Sequence, residues 1–142
     1  MVILTQTDTT VGFVSQNKQK LNLIKSRNSS KSFIKVYDSF RSFSQANIRV
    51  PHAMKNTLRR AKQTSFVVKN KAFRVSFSDC NSQLLRDLKW HYSTSANESG
   101  KNFERGFCED KTDIIIEDKK GLYENSSSTI LKINNIKKVK IR

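Results

Sequence analysis

Hydrophobic and polar positions alternate along the chain in short blocks, each of which predicts one element. Val2-Ile3-Leu4 is a brief apolar run that stops at the hydroxyl-rich Thr5-Gln6-Thr7-Asp8-Thr9-Thr10 and resumes as Val11-Gly12-Phe13-Val14. That pattern fits a strand followed by a polar loop. From Asn17 the spacing turns helical, with Leu21 and Ile24 on one face, and the helix should end near Ser26. Phe33 to Tyr37 reads as a strand, and Ser39 to Gln45, with Phe40 and Phe43 three apart, as a short helix. Pro51 suits the first turn of a helix that carries Met54 and Leu58 to about Lys62. Thr64 to Val68 and Ala72 to Phe77 form a hairpin candidate around Lys69-Asn70-Lys71, and Asp79 is placed to cap a helix through Leu84, Leu85 and Leu88. A strand into Tyr92 leads to the polar turn Thr94 to Gly100, followed by a helix-like stretch near Phe103. Asp113 to Glu117, Thr129 to Ile133 and Ile136 to Ile141 read as later strands. Hairpins interleaved with strand-helix units predict one α/β domain over residues 1–142, built on a mixed sheet.

Charge adds a partner class. The chain holds 27 Lys+Arg against 12 Asp+Glu, a net charge of +15, and a field of that sign attracts polyanions such as nucleic acid, nucleotides or acidic membrane. Cys80 and Cys108 lie far apart, and His52 and His91 are isolated, so a structural zinc site is not expected. No early basic-then-apolar signal and no long apolar run is present, which fits a reduced, soluble, cytoplasmic protein without a membrane span.

The common catalytic signatures are missing. Four glycines, Gly12, Gly100, Gly106 and Gly121, permit neither a Walker A loop nor a GxGxxG turn. Nothing resembles a nucleophile elbow or a metal-binding histidine pair, so chemistry here would not rest on a side-chain nucleophile. Lys25 and Arg27 flank the expected helix end, where two cations could converge on a phosphate or simply favour a helix C-terminus. The stretch from Thr94 to Gly100 offers small hydroxyls, an amide and a glycine that allow close backbone approach. Trp90 and His91 fit strand packing, and the loose acidic group Glu109, Asp110, Asp113, Glu117 and Asp118 fits a solvated edge.

Four stretches stand in an informative order: Thr7-Asp8-Thr9-Thr10-Val11-Gly12-Phe13, Lys25-x-Arg27, Ser95-Ala96-Asn97-x-Ser99-Gly100 and Ser128-Thr129-Ile130. In this the chain resembles the YrdC-like family, the L-threonylcarbamoyladenylate synthases. Arg74-Val75-Ser76 resembles that family's Arg-x-Pro, and Thr64 the threonine of the preceding strand. The resemblance implies a twisted α/β sheet with a basic concave cavity. It also implies a nucleotidyltransferase reaction, in which L-threonine, bicarbonate and ATP, with Mg2+ on the phosphates, give threonylcarbamoyl-AMP and pyrophosphate. That product serves a downstream threonylcarbamoyl transferase acting on adenosine 37 of tRNA. By matching positions, Lys25, Arg27, Ser95, Asn97 and Ser128 would bind ATP, while Thr7, Thr64 and Arg74 would line the threonine and bicarbonate side. The chain departs from the pattern where Gln6, Asn28, Ser76 and Ser127 replace prolines, where Val11 replaces a tyrosine, and where Lys62-Gln63 replaces Pro-Gly. Those departures keep an alternative open, an inactive relative that binds double-stranded RNA or tRNA.

Overall fold

The structure, a computed structural model, describes residues 1–26, 32–76 and 82–142. Among them, nine strands form one mixed sheet: β1 (Ile3–Gln6), β2 (Val11–Ser15), β3 (Ile34–Tyr37), β4 (Thr64–Val68), β5 (Lys71–Val75), β6 (Trp90–Ser95), β7 (Ile114–Ile116), β8 (Thr129–Ile133) and β9 (Lys138–Lys140). Their order across the sheet is β7-β1-β2-β6-β3-β5-β4-β8-β9. Five helices flank it: α1 (Lys18–Lys25), α2 (Phe40–Ser44), α3 (Lys55–Arg60), α4 (Ser82–Leu88) and α5 (Arg105–Asp110). No helix among the described residues is long and apolar enough to cross a membrane.

Local chemistry sets the boundaries. Asn17 caps α1, its Oδ1 accepting from the backbone N–H groups of Gln19 and Lys20 at 3.0 and 3.2 Å, and Ser26 ends the helix in the left-handed region at φ 48°. Ser39 caps α2 in the same way. The hairpin between β4 and β5 has a two-residue loop, Lys69-Asn70, with both residues at positive φ, and Lys71 already pairs with Val68. Positive φ at both central positions matches the twist of the flanking strands, so the loop is one residue shorter than the sequence suggests. The stretch after Pro51 divides into a 3-10 turn over His52–Met54 and α3, which stops at Arg60 because Ala61 is extended. Strand β6 runs through Ser95, so Thr94 and Ser95 belong to the sheet and the turn proper starts at Ala96. Phe77 and Asp79 lie outside the described residues.

Strand register divides the side chains between the two faces. On the helix face, Leu4, Val11 and Phe13 are buried with Leu21 of α1 and Cys108 of α5. Farther along that face, Tyr37, Phe66, Val68, Phe73 and Ile133 are buried with Phe43 of α2 and Leu58 of α3. The second cluster is aromatic, with Phe43 stacked on Phe73 at 4.5 Å and Tyr37 edge-on to Phe43 at 5.4 Å. Truncating a buried phenylalanine such as Phe73 to alanine costs about 3–5 kcal/mol. The other face carries the intervening residues, among them the small Gly12, Ser93, Ser95, Ala72 and Ser65 beside Val14, Val36, Val67, His91 and Arg74. Small side chains on one face of a twisted sheet leave a hollow, and the hollow is the candidate site.

Candidate functional site

A cavity of ≈ 580 Å³ opens on that face. Its floor comes from β2, β3, β5 and β6 through Gly12, Ile34, Ala72, Arg74, Ser93 and Ser95. Thr7, Thr9 and Thr10 of the β1–β2 loop wall one side, and Ser127, Ser128, Ile130 and Arg142 wall another. Gly12 lets the loop approach closely: a Cβ on it would meet Thr7 Cγ2 and the Thr94 carbonyl oxygen, both at 3.1 Å, and would fit only if they gave way by a few tenths of an ångström. The loop is held tightly by its own hydroxyls. Thr7 Oγ1 donates to the Thr10 carbonyl at 2.6 Å and accepts from the Thr9 backbone N–H at 3.3 Å.

Two guanidinium groups are the charged members of the lining. Arg74 is buried, and its Nη2 pairs with Asp8 Oδ1 at 2.9 Å while Nη1 donates to Ser65 Oγ at 3.0 Å. Ser65 Oγ in turn lies 2.8 Å from Ser128 Oγ, to which Arg142 Nη2 donates at 3.2 Å. Arg142 Nε donates to the Ser128 carbonyl at 3.0 Å. Burial, and then the charge of Arg74, push Arg142 below the ordinary arginine pKa. The Nε of Arg74 is buried and has no hydrogen-bond partner. A buried guanidinium is normally satisfied on every donor; Arg74 lines the cavity while its Nε–H, enclosed by the chain, meets no acceptor within it.

His91 shares the sheet face of Arg74, since both pair with Val36 of β3. It is buried, its Nδ1 lies 3.3 Å from the Tyr92 carbonyl oxygen, and its Nε2 has no partner. Burial is the main cause that lowers its pKa to about 4, with the Arg74 charge acting in the same direction. His91 is therefore neutral at pH 7 and is no cation of the site.

Lys25 occupies a different environment. Its side chain is buried, and Nζ donates to the Ser95 carbonyl (3.0 Å), the Asn97 carbonyl (2.8 Å) and Asn97 Oδ1 (2.9 Å). Ser95 Oγ also donates to Asn97 Oδ1, at 2.7 Å, while Asn97 Nδ2 donates to the carbonyls of Glu98 and Lys101. Ser99 Oγ closes the set on the Lys25 carbonyl at 3.0 Å. An ammonium has three protons, and all three are engaged here. Lys25 lines neither the main cavity nor the adjoining cleft of ≈ 430 Å³, to which Ser95, Asn97, Asn125 and Ser127 contribute. A phosphate clamp built on Lys25 would have to share these protons; in this structure they fasten the turn to α1.

The remaining sequence-derived positions are placed as follows. Thr7, Arg74, Ser95 and Ser128 line the main cavity, and Ser95 and Asn97 line the cleft beside it. Arg27 lies outside the described residues. Thr64 is not on the cavity; its Oγ1 donates to the Lys62 carbonyl at 2.8 Å, and its neighbour Ser65 holds the position beside Arg74. The reason is the two-residue period of β4, in which a shift of one residue changes face. Sequence reading also passed over Asp8 and Arg142. Asp8 sits inside the threonine motif, where a lone acid in a hydroxyl-rich loop was the available signal. The Glu109–Asp118 group behaves as a surface feature, with Glu109 and Glu117 both paired to Arg105 and Asp113 accepting from the Val2 N–H. No cluster among the described residues could hold a metal ion.

Neither family models nor curated proteins offer a match to the sequence. Solved structures do. The fold is similar to that of P. abyssi Sua5 crystallised with L-threonine (TM-score 0.80, 16% identity), a match that covers 99% of this chain and 49% of Sua5. It is similar to E. coli YciO (TM-score 0.78, 17% identity), covering 99% of this chain and 82% of that one. Full-length HypF in a phosphate- and nucleotide-bound form is also similar (TM-score 0.76, 11% identity, 99% of this chain and 26% of HypF). The chain thus spans about half the length of Sua5. A sheet of this order, hollow on one face and clad in helices on the other, has the YrdC-like α/β fold of Sua5 and YciO.

Proposed function

We propose that the protein is a YrdC-like L-threonylcarbamoyladenylate synthase acting in tRNA modification. The observation that carries this reading is Arg74, a buried guanidinium with one donor unmatched within the chain, in the lining of a hydroxyl-rich cavity. A carboxylate or phosphate oxygen is the acceptor that such a donor recognises best. L-threonine would place its carboxylate there, and its amine would take up bicarbonate as a carbamate with loss of water. A carbamate oxygen then attacks the α-phosphorus of ATP, forming a new P–O bond as the bond to the β-phosphate oxygen breaks and pyrophosphate leaves. The attacking atom comes from the substrate, so the hydroxyls of the lining need not act as nucleophiles. Arg74 and Arg142 would offset the gathered negative charge, and Ser95, Asn97 and Ser128 would add hydrogen bonds to the nucleotide. Magnesium would arrive on the phosphates, because the described residues offer no cluster of their own for it. Two structures of similar fold, Sua5 complexed with L-threonine and HypF in a phosphate- and nucleotide-bound form, support the same ligand classes.

Calorimetric titration with ATP and magnesium, with and without L-threonine and bicarbonate, tests the proposal. Saturable nucleotide binding strengthened by threonine is expected, followed by pyrophosphate release. A folded sample that binds no nucleotide would instead favour a second reading, an inactive RNA-binding relative, which the net charge of +15 and the fully engaged Lys25 Nζ support.

A further inference from the structure

Among the described residues the sheet ends in two strands whose outer sides pair with nothing, β7 at one edge and β9 at the other. Ile114, Ile115 and Ile116 of β7 are 41%, 41% and 38% exposed, and Val139 of β9 and Ile141 after it are exposed as well. An edge with apolar side chains and open backbone groups is a template for another strand. The Ile114 N–H donates inward to the Val2 carbonyl, so the backbone groups of Ile115 point outward. The Ile141 N–H donates inward to the Ile130 carbonyl, so those of Lys138 and Lys140 point outward.

The two edges match on both faces of the sheet. Ile115 pairs with Leu4 of the helix-face core, and Glu117, two residues on, meets Arg105 of α5 on that same face. Ile114 and Ile116 therefore take the cavity face. On β9, Lys138 and Lys140 pair with Ile133 and Leu131 of the helix-face core, while Val139 takes the cavity face and Ile141 lines the cavity. Each edge thus carries apolar side chains towards the cavity face and charge towards the helix face, acidic on β7 and basic on β9. Five of the eight pairings across the sheet are antiparallel, so β9 runs opposite to β7. A copy set beside the first in the same orientation continues the sheet, with its β9 antiparallel to β7 and the helix faces aligned.

We propose that β7 of one copy of this chain pairs with β9 of a second copy, with Ile115 opposite Lys140. That register sets Ile114 against Ile141 and Ile116 against Val139 on the cavity face, and Glu117 against Lys138 on the helix face. Glu117 is bidentate to Arg105 and keeps lone pairs for a second cation. Symmetric pairing is disfavoured by charge: β7 on β7 about Ile115 sets Asp113 against Glu117, and β9 on β9 about Val139 sets Lys138 against Lys140. The contact is therefore head-to-tail, and it does not depend on what the cavity binds. The test is sedimentation velocity of the whole chain over a range of concentration and salt. The average mass should rise with concentration and fall back towards the monomer as salt is raised. Ile115→Pro, which removes an outward N–H and leaves the bonds to β1, should abolish the association. Glu117→Lys should weaken it on the order of tenfold, and the swap Glu117→Lys/Lys138→Glu should restore it. A monomer at every concentration would overturn the proposal. So would an assembly that Ile115→Pro leaves intact, or a swap that stays as weak as Glu117→Lys alone.

Discussion

Two buried cations, Arg74 and Lys25, sit in neighbouring parts of the molecule and are used differently. Lys25 donates all three protons to the Ser95–Asn97 turn, so its charge works within the chain. Arg74 divides its donors between Asp8 and Ser65 and keeps a buried Nε–H without a partner. The difference follows from geometry. A flexible ammonium can turn three protons toward one turn, whereas a planar guanidinium held at two corners cannot redirect its third edge. A fully satisfied buried cation fastens structure, and one with a donor to spare is suited to a ligand.

The largest expected effect comes from removing the partner of Arg74. Asp8→Ala leaves an uncompensated buried guanidinium and should cost about 3–5 kcal/mol of stability, read as a lower midpoint in urea unfolding. A midpoint shift under 1 kcal/mol would mean that Arg74 relaxes into solvent and is not held for a ligand.

Acid comes next, through His91 on the same face as Arg74. Its folded pKa, about 4, lies below the unfolded value of 6.5, so the neutral form is the one the fold retains. The associated stability is fully present above pH 6.5 and is lost as pH falls towards 4, to a total of roughly 3 kcal/mol. Urea unfolding at pH 7.5 and 4.5 should show this loss, and His91→Met should flatten it.

Lys25→Met tests the other half of the comparison. It strands three acceptors of the turn and should destabilise the domain by about 2–3 kcal/mol, with faster amide exchange in residues 96–101. A variant with wild-type stability but no ATP binding would reverse the assignment and make Lys25 a ligand group. Arg74→Lys is the mildest and most specific change, because it keeps a charge near Asp8 but loses the Nε edge. Threonine affinity measured by calorimetry should fall about tenfold, equivalent to ~1.4 kcal/mol, while the unfolding midpoint moves less than in Asp8→Ala.

Much of the architecture was legible in the chain. The capping Asn17, the Lys69-Asn70 turn and the polar interruption between β1 and β2 are local signals, and local chemistry decides such features. The Ser95–Gly100 stretch was recognisable for the same reason, although its first residue completes a strand. Assigning residues to the cavity was harder. Thr64 and Ser65 are both small hydroxyl residues in one strand, and nothing local states which of them meets Arg74. Arg142 reaches Ser128 only because β9 folds back on β8.

The sequence by itself determined most of the elements, the absence of a side-chain nucleophile motif and the excess of basic residues, because composition, capping and period are properties of neighbouring residues. The tertiary structure decided which face of the sheet helices cover, and so which alternate residues line the cavity. It also spent Lys25 on a turn 70 residues away and left one donor of Arg74 unmatched. These outcomes depend on strand order and register, which are set by burying apolar surface between parts of the chain that no local pattern connects.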